Sequence, residues 1–278
     1  MKRRLTMAAV AAGALFALSA CGGGGSESDA GPTAEGGVPV VSEGQLTVCS
    51  DIPYEPFEFV ENGENVGFDI DLAQGLADDL GVELNVITTA FEAIQSGSAL
   101  DTSQCDIAIS GMSITEDRKT KMDFSAPYLK DNLGLMATKE SGIKGIADVK
   151  GKEVGVQQAT TGETYAKDNG ATPVQFEDSG LMTQAIQTGQ VDSVIGNISI
   201  ISTAVAADDK LVFVEEFDTG EVLGAAVKKG NKPMLDAFEN TMQRLYEDGS
   251  YDQSVDKWFG DVADAARIPE ADRGASQG

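Results

Sequence analysis

Short apolar runs alternate with amphipathic stretches from Leu46 onward, and this alternation most constrains the fold. It is typical of parallel strands joined by crossover helices and predicts an α/β fold. A length of 278 residues is enough for one large core or two smaller ones. The pattern predicts strands at 46–50, 82–88, 106–110, 133–138, 154–157, 174–176 and 191–195, and helices at 70–80, 162–167, 181–188, 198–207 and 233–248.

The composition excludes several classes of function. A formal net charge of -25 argues against a nucleic-acid partner, because phosphate backbones are neutralised by clusters of Lys and Arg. The chain contains no His, so it lacks the commonest metal ligand and the commonest general base. We therefore expect neither a metal site nor an organic cofactor.

The N-terminus has the pattern of an export signal. Lys2, Arg3 and Arg4 precede an apolar run over 7–18, which is too short to span a bilayer comfortably. The tetrapeptide 18–21, ending in Cys21, resembles a bacterial lipobox. This predicts a signal peptide over 1–20, a lipid on Cys21 at the outer face of the cytoplasmic membrane and a flexible linker over 21–44. The alternative is an ordinary cleavage site followed by a chance Cys.

Two segments carry candidate binding chemistry. The loop 51–58 follows the first strand, where open α/β sheets bind ligands, although its aromatic residues could simply pack over the sheet. In segment 109–118, a strand ends in Gly111 and a helix begins after the capping residue Thr115. A carboxylate there would meet backbone N–H groups, the Ser113 hydroxyl and the Arg118 guanidinium, unless Arg118 is only a surface residue.

A series of motifs over about residues 45–262 resembles the family 3 extracellular solute-binding proteins of polar amino-acid ABC transporters. They are Asp51–Phe57, Gly67–Leu72, Gly111–Arg118, Met122–Tyr128, Val154–Gly162 and Trp258–Gly260. The resemblance implies a two-lobed type II periplasmic-binding fold with two hinge crossings, near 130–132 and 220–224. Lobe 1 would comprise 45–131 plus 222–262, lobe 2 would comprise 132–221, and 263–278 would form a tail.

The resemblance also implies roles for individual residues. Arg118 and Ser113 would hold the α-carboxylate of the ligand, with backbone contacts from Gly111, and Thr161 would close on it from the second lobe. Asp51 and Tyr54 would line the side-chain and ammonium end. The complete predicted ligand-binding set is Asp51, Tyr54, Phe57, Gly111, Met112, Ser113, Arg118, Gln157, Thr160, Thr161 and Asn197.

Two positions depart from the family pattern. Asn197 stands where the family usually has an Asp for the α-ammonium, which predicts weaker ammonium binding by about tenfold unless Asp51 compensates. Ala159 stands where a Gly is usual before the Thr pair, and it could restrict the approach of the backbone to the ligand.

The cysteines of the folded part, Cys49 and Cys105, leave two possibilities. An exported pair favours a disulfide. If their two strands are parallel neighbours, however, the sulfurs would lie too far apart for a bond unless the loop 97–104 redirects Cys105.

The predicted function is capture of a small polar solute, an amino acid or a related carboxylate, by a monomer that delivers it to an ABC permease. One alternative is an envelope lipoprotein that senses a solute without transporting it. Another is a dehydratase on the same fold, with Glu92 and Asp51 as acid and base.

Overall fold

A computed structural model describes residues 31–274, which form two five-stranded sheets covered by helices. The predicted α/β class is confirmed. The predicted signal peptide 1–20 and the predicted lipidation residue Cys21 lie outside the described residues. Within 31–274, no helix has both the length and the apolar content needed to cross a bilayer.

The first sheet has the strand order β4-β1-β5-β14-β6, in which β14 (Ala226–Lys228) comes from the returning chain. Strand β1 pairs in parallel with β4 and β5, whereas β14 runs antiparallel to β5 and β6. The elements before the first crossing are β1 (Gln45–Ser50), β2 (Phe59–Glu61), β3 (Glu64–Val66), α1 (Phe68–Asp79), β4 (Glu83–Thr88), α2 (Phe91–Gln95), α3 (Ser98–Asp101), β5 (Ile107–Ala108), α4 (Glu116–Lys119), β6 (Met122–Phe124) and β7 (Leu129–Lys130).

The second sheet has the strand order β10-β9-β11-β8-β12. Strand β9 pairs in parallel with β10 and β11, and β8 runs antiparallel to β11 and β12. Its elements are β8 (Leu133–Thr138), β9 (Glu153–Gln157), α5 (Thr161–Asp168), β10 (Thr172–Phe176), α6 (Ser179–Gln187), β11 (Ser193–Asn197), α7 (Ile198–Ala207) and β12 (Leu211–Phe217).

The chain crosses between the sheets twice, and the two crossings pair with each other. Strand β7 pairs antiparallel with β13 (Val222–Leu223), and the chain then continues through β14 (Ala226–Lys228), α8 (Lys232–Asp248), α9 (Ser250–Phe259) and α10 (Ala263–Ala266). Helices α8 and α9 pack against α1, so the C-terminal helices lie beside the first sheet. The lobe boundaries given above remain a prediction.

Several expectations about the elements were incomplete or wrong. Neither sheet is purely parallel, because the strands next to the crossings run back against their neighbours. Strand β12, at the edge of the second sheet, was not predicted, since a bulge between Phe213 and Glu215 interrupts its alternation. The predicted linker is too long at its C-terminal end, because Val38 and Val40 are buried and Val41 N–H donates to Asp106.

The predicted tail also packs on the fold where it is described. Ala266 and Ile268 are buried, and the Arg267 and Arg273 guanidinium groups both donate to Asp252 on α9. These contacts extend the first-sheet half to residue 274.

Cys49 and Cys105 form a disulfide, with their Cα atoms 5.7 Å apart. The geometric objection to this bond was wrong. Strands β1 and β5 are indeed parallel neighbours, but Cys105 precedes β5 and lies in the turn that follows α3. Gln104 N–H donates to Ala99 O in this turn, and Asp106 N–H donates to Thr47 O, which brings Cys105 back over β1.

Candidate functional site

A small closed cavity lies between the two sheets. Its volume is about 10 Å³, near the space of one water molecule. Nine of the eleven predicted ligand-binding residues line it, together with Phe91 and Ser110. The nine are Asp51, Tyr54, Gly111, Ser113, Arg118, Gln157, Thr160, Thr161 and Asn197.

The other two predicted residues lie outside the cavity lining. Phe57 is fully buried, with its ring stacked on Tyr54 and in edge contact with Phe259. Met112 is also fully buried, in the apolar cluster that contains the disulfide. Phe57 therefore packs behind Tyr54, and Met112 packs in the same apolar cluster as Phe91.

Arg118 is the central cation of the cavity. Its side chain lies over the Phe91 ring, and the residue is 4% exposed. Nη1 donates to Ser113 O at 2.8 Å, and Nη2 crosses to the other half and donates to Ala159 O at 3.2 Å. Burial lowers the pKa of Arg118 to about 10. No carboxylate of residues 31–274 lies within 4.0 Å of the guanidinium, so its charge is available to an anion.

Gly111 is required by the local geometry beside Arg118. Its φ of +49° lies in the left-handed region, and a Cβ atom there would approach the Tyr54 ring to 2.6 Å. Its N–H donates to the buried carboxylate of Asp69 at 2.6 Å. The backbone of this loop is therefore held against the tyrosine that forms the cavity wall.

The loop from the second half begins at Ala159, which has a φ of +63°. An Ala in this conformation is strained, which explains why a Gly is the better fit at the position. Glu163 accepts the Ala159 N–H at 2.7 Å, and the Thr160 hydroxyl caps α5 by accepting the Glu163 N–H. Thr161, at the start of α5, lines the cavity together with Arg118, and its hydroxyl donates to Glu221 at 2.8 Å.

Two side-chain hydrogen bonds join the halves across the cavity. Gln157 Nε2 donates to Asp51, and the Tyr54 hydroxyl donates to Asn197 Oδ1 at 2.9 Å. Asn197 Nδ2 in turn donates to Asp131 O at 2.8 Å. The pKa of Asp51 is raised to about 7, mainly by burial and also by the charges of nearby acidic residues, against the lowering effect of the Gln157 hydrogen bond.

A pair of fully buried carboxyl groups lies beneath the cavity. The Ser110 hydroxyl donates to Glu58, and the Tyr128 hydroxyl donates to Asp69. Burial raises the pKa of both carboxyls, that of Glu58 further through the charge of Asp69. The pair therefore retains a proton while it holds the loop of Ser110 and Gly111.

The raised pKa values make the stability of the protein pH-dependent. Burial raises the pKa of Asp51 to about 7 and that of Asp131 to about 8, whereas an Asp in an unfolded chain has a pKa near 4. The folded protein holds these protons at pH values where the unfolded chain has released them. We expect the free energy of unfolding to fall as the pH rises from 5 to 8, by up to about 1.4 kcal/mol per pH unit for each group.

Denaturant unfolding at pH 5, 6, 7 and 8 measures this slope. Asp131→Asn keeps an acceptor for the Ser199 N–H and should reduce the slope, whereas Asp209→Asn, at an exposed position, should leave it unchanged. A stability that rises between pH 5 and 8 would contradict the raised pKa values.

Sequence reasoning missed three residues that contact the site. Phe91 and Ser110 line the cavity, and Ser110 could have been found because it ends the predicted strand 106–110. The carboxylate of Glu221, on the second crossing, accepts hydrogen bonds from two hydroxyls of the site, and no local pattern indicates this. Glu92, the acid considered for a dehydratase, is exposed and outside the cavity lining.

Two α/β halves joined by paired crossings, with a buried arginine and hydroxyl donors between them, define a solute-binding protein of the type II periplasmic-binding fold. The model of the bacterial extracellular solute-binding proteins, family 3, matches residues 46–261. The chain belongs to this family.

Curated relatives and solved structures agree with this assignment. The L-cystine-binding protein TcyJ of Escherichia coli K12 is 30% identical over 227 residues, covering 80% of this chain and 85% of the relative. The arginine-binding extracellular protein ArtP of Bacillus subtilis is 31% identical, covering 90% and 95%. An ancestral arginine-binding protein bound to arginine is 36% identical with a TM-score of 0.73, covering 78% and 99%. A structure of an ancestral arginine-binding protein bound to glutamine is 35% identical with a TM-score of 0.74, covering 79% and 100%.

Proposed function

We propose that this protein binds a free L-amino acid between the residues that line the cavity, which must widen from the space of one water molecule to admit it, and delivers it to an ABC permease. The observation that carries the proposal is the buried Arg118, which has no carboxylate partner within 4.0 Å among residues 31–274 and lies near the hydroxyls of Ser113 and Thr161. A buried guanidinium of this kind favours bidentate binding of a carboxylate. Relatives named for arginine, cystine and histidine support an amino acid as the ligand.

The acidic part of the cavity lining favours a ligand with a basic side chain. Asp51 lines the cavity there, and the charges of Glu177 and Asp178 lie near enough to raise its pKa. A cationic ligand side chain placed against Asp51 would offset the nearby negative charges and favour the ionised form of the Asp51 carboxyl group. We therefore place arginine and lysine ahead of neutral amino acids.

Binding would be coupled to closure of the two lobes, 45–131 plus 222–262 and 132–221. The cavity residues come from both, and direct hydrogen bonds such as Tyr54 to Asn197 join them when they are closed. A ligand that contacts both lobes shifts the equilibrium toward the closed form, which a permease can recognise. The protein would act as a monomer without a cofactor and without catalysis.

A thermal-shift screen against the standard amino acids tests the proposal. A ligand at 100 times its dissociation constant stabilises the folded state by about 2.7 kcal/mol. We expect the largest shifts with L-arginine and L-lysine, and little shift with agmatine, the analogue of arginine without the carboxylate. If no amino acid shifts the midpoint, or if agmatine matches L-arginine, the proposal is wrong.

Restoring an acid at position 197 should strengthen binding. The Asn197 side chain is neutral, and an Asp would offer a charged acceptor to the α-ammonium of the ligand. We expect Asn197→Asp to lower the dissociation constant for L-arginine about tenfold in isothermal titration calorimetry. The desamino analogue of arginine should show no such gain, and an equal gain for both ligands would place the ammonium elsewhere.

The anchor is a separate part of the proposal. Cys21 follows a lipobox-like sequence, and membership of an extracellular family supports export. Cells fed labelled palmitate should label the wild-type protein but not Cys21→Ser. Equal labelling of both would show that Cys21 is not the anchored residue.

A further inference from the structure

Glu221 places a carboxylate of the protein itself beside the carboxylate site. It lies on the second crossing, immediately before β13 and half-buried. Its Oε2 accepts a hydrogen bond from the Ser113 hydroxyl at 2.5 Å and another from the Thr161 hydroxyl at 2.8 Å. One oxygen therefore holds a donor from each half of the protein.

The backbone around Glu221 fixes this position. Glu221 O accepts the N–H of Asp131 on the first crossing, and the Val222 carbonyl accepts the N–H of Ile114. Ser113 also forms a β-bridge with Leu223. The side chain is thus held at the junction of the two crossings, next to the segment that carries Ser113.

The two hydroxyls cannot serve Glu221 and a ligand at the same time. Each hydroxyl carries a single proton and so donates one hydrogen bond. While both protons point to Glu221, a ligand carboxylate next to Arg118 would lack them and would also be repelled by a second negative charge nearby. Among the acidic residues around Arg118, Glu221 exerts the largest electrostatic effect on it.

We propose that Glu221 is a built-in competitor, which holds the Ser113 and Thr161 hydroxyls together across the two halves and must release them when a carboxylate ligand binds. This proposal rests on the proposed function, because the competing anion is the α-carboxylate of the amino acid. Glu221 thereby lowers the affinity of the site for every carboxylate ligand. It favours ligands that make further contacts, such as those at Asp51, because these contacts offset the free energy needed to displace Glu221 from the two hydroxyls.

Titration calorimetry of Glu221→Gln and Glu221→Ala with L-arginine and L-lysine tests the competition. We expect both variants to bind these amino acids on the order of tenfold more tightly, because the ligand no longer displaces a charged acceptor. Agmatine should gain nothing, since it has no carboxylate. Asp218→Asn is the matched control: it removes one negative charge at an exposed position three residues away and should leave the affinity unchanged.

A second measurement does not depend on any ligand. Because Glu221 joins donors of both halves, Glu221→Ala should increase the radius of gyration in small-angle X-ray scattering without added solute, whereas Asp218→Asn should not. Equal or weaker amino-acid binding by both Glu221 variants would overturn the competition. If the wild-type protein binds no amino acid while Glu221→Ala still expands, the proposed function fails and the contact between the halves stands. An unchanged radius would overturn that contact.

Discussion

Arg118→Ala should abolish binding of carboxylate ligands, with a loss of at least about thirtyfold in affinity. Removing one partner of a buried charge pair costs roughly 2 to 5 kcal/mol, because the ligand carboxylate is then buried without its cation. The guanidinium is 4% exposed and lies at the cavity between the two halves, so water cannot readily replace it. Titration calorimetry with L-arginine measures the loss.

Two further variants separate the charge of Arg118 from its shape. Arg118→Lys keeps the charge but cannot bind a carboxylate with two parallel N–H bonds, so its affinity should lie between those of the wild type and Arg118→Ala. Arg244→Ala removes a cation from a partly exposed position on α8 and should bind normally. A folded Arg118→Ala protein that binds L-arginine with wild-type affinity would show that the carboxylate site lies elsewhere.

Removing the disulfide should have the largest effect on stability. Cys49 and Cys105 are separated by 56 residues in the sequence, and closing a loop of this length restricts the unfolded chain by roughly 4 kcal/mol on the chain-entropy model. We expect Cys49→Ala combined with Cys105→Ala to lower the free energy of unfolding by about this amount. Guanidinium chloride unfolding of the two proteins measures the difference.

A reduction experiment provides the control for the double variant. Both cysteines are buried, so reduction should require unfolding, and adding a reductant during unfolding should destabilise the wild type but leave the double variant unchanged. Mass spectrometry after alkylation of the unreduced protein should find no alkyl group on either cysteine. Equal stability of the wild type and the double variant would contradict a stabilising disulfide.

Local patterns in the sequence were sufficient for half of the α-helices and strands described over 31–274. Helix α7 has the bounds predicted from its apolar run. Helix α8 begins one residue before its predicted start and ends as predicted, because Pro233 and Gly249 mark its two ends. The same local patterns predict a carboxylate site in 109–118, since a strand end, a helix cap and an arginine lie within this segment. The strands beside the crossings were harder to predict from local patterns, because their direction depends on which sheet the returning chain joins.

The residues around the cavity could be predicted only as a set, without their long-range contacts. The Tyr54 to Asn197 hydrogen bond joins residues 143 apart in sequence, and the Ser113 to Glu221 bond joins residues 108 apart. Hydrophobic periodicity and capping report on neighbours within a few turns of chain and carry no information about such pairs. Family resemblance identified Tyr54 and Asn197 but gave no indication of Glu221.

The sequence by itself determined the α/β class and the positions of half of the α-helices and strands described over 31–274, and it predicted a carboxylate site within one continuous segment. Each depends on periodicity, caps and strand ends, which are local properties of the chain. The tertiary structure alone decided that the turn after α3 brings Cys105 to Cys49, that Val38 and Val40 join the core, and that Glu221 meets the hydroxyls of both halves. These features arise because folding brings distant segments together, and the positions of the two crossings set which side chains meet.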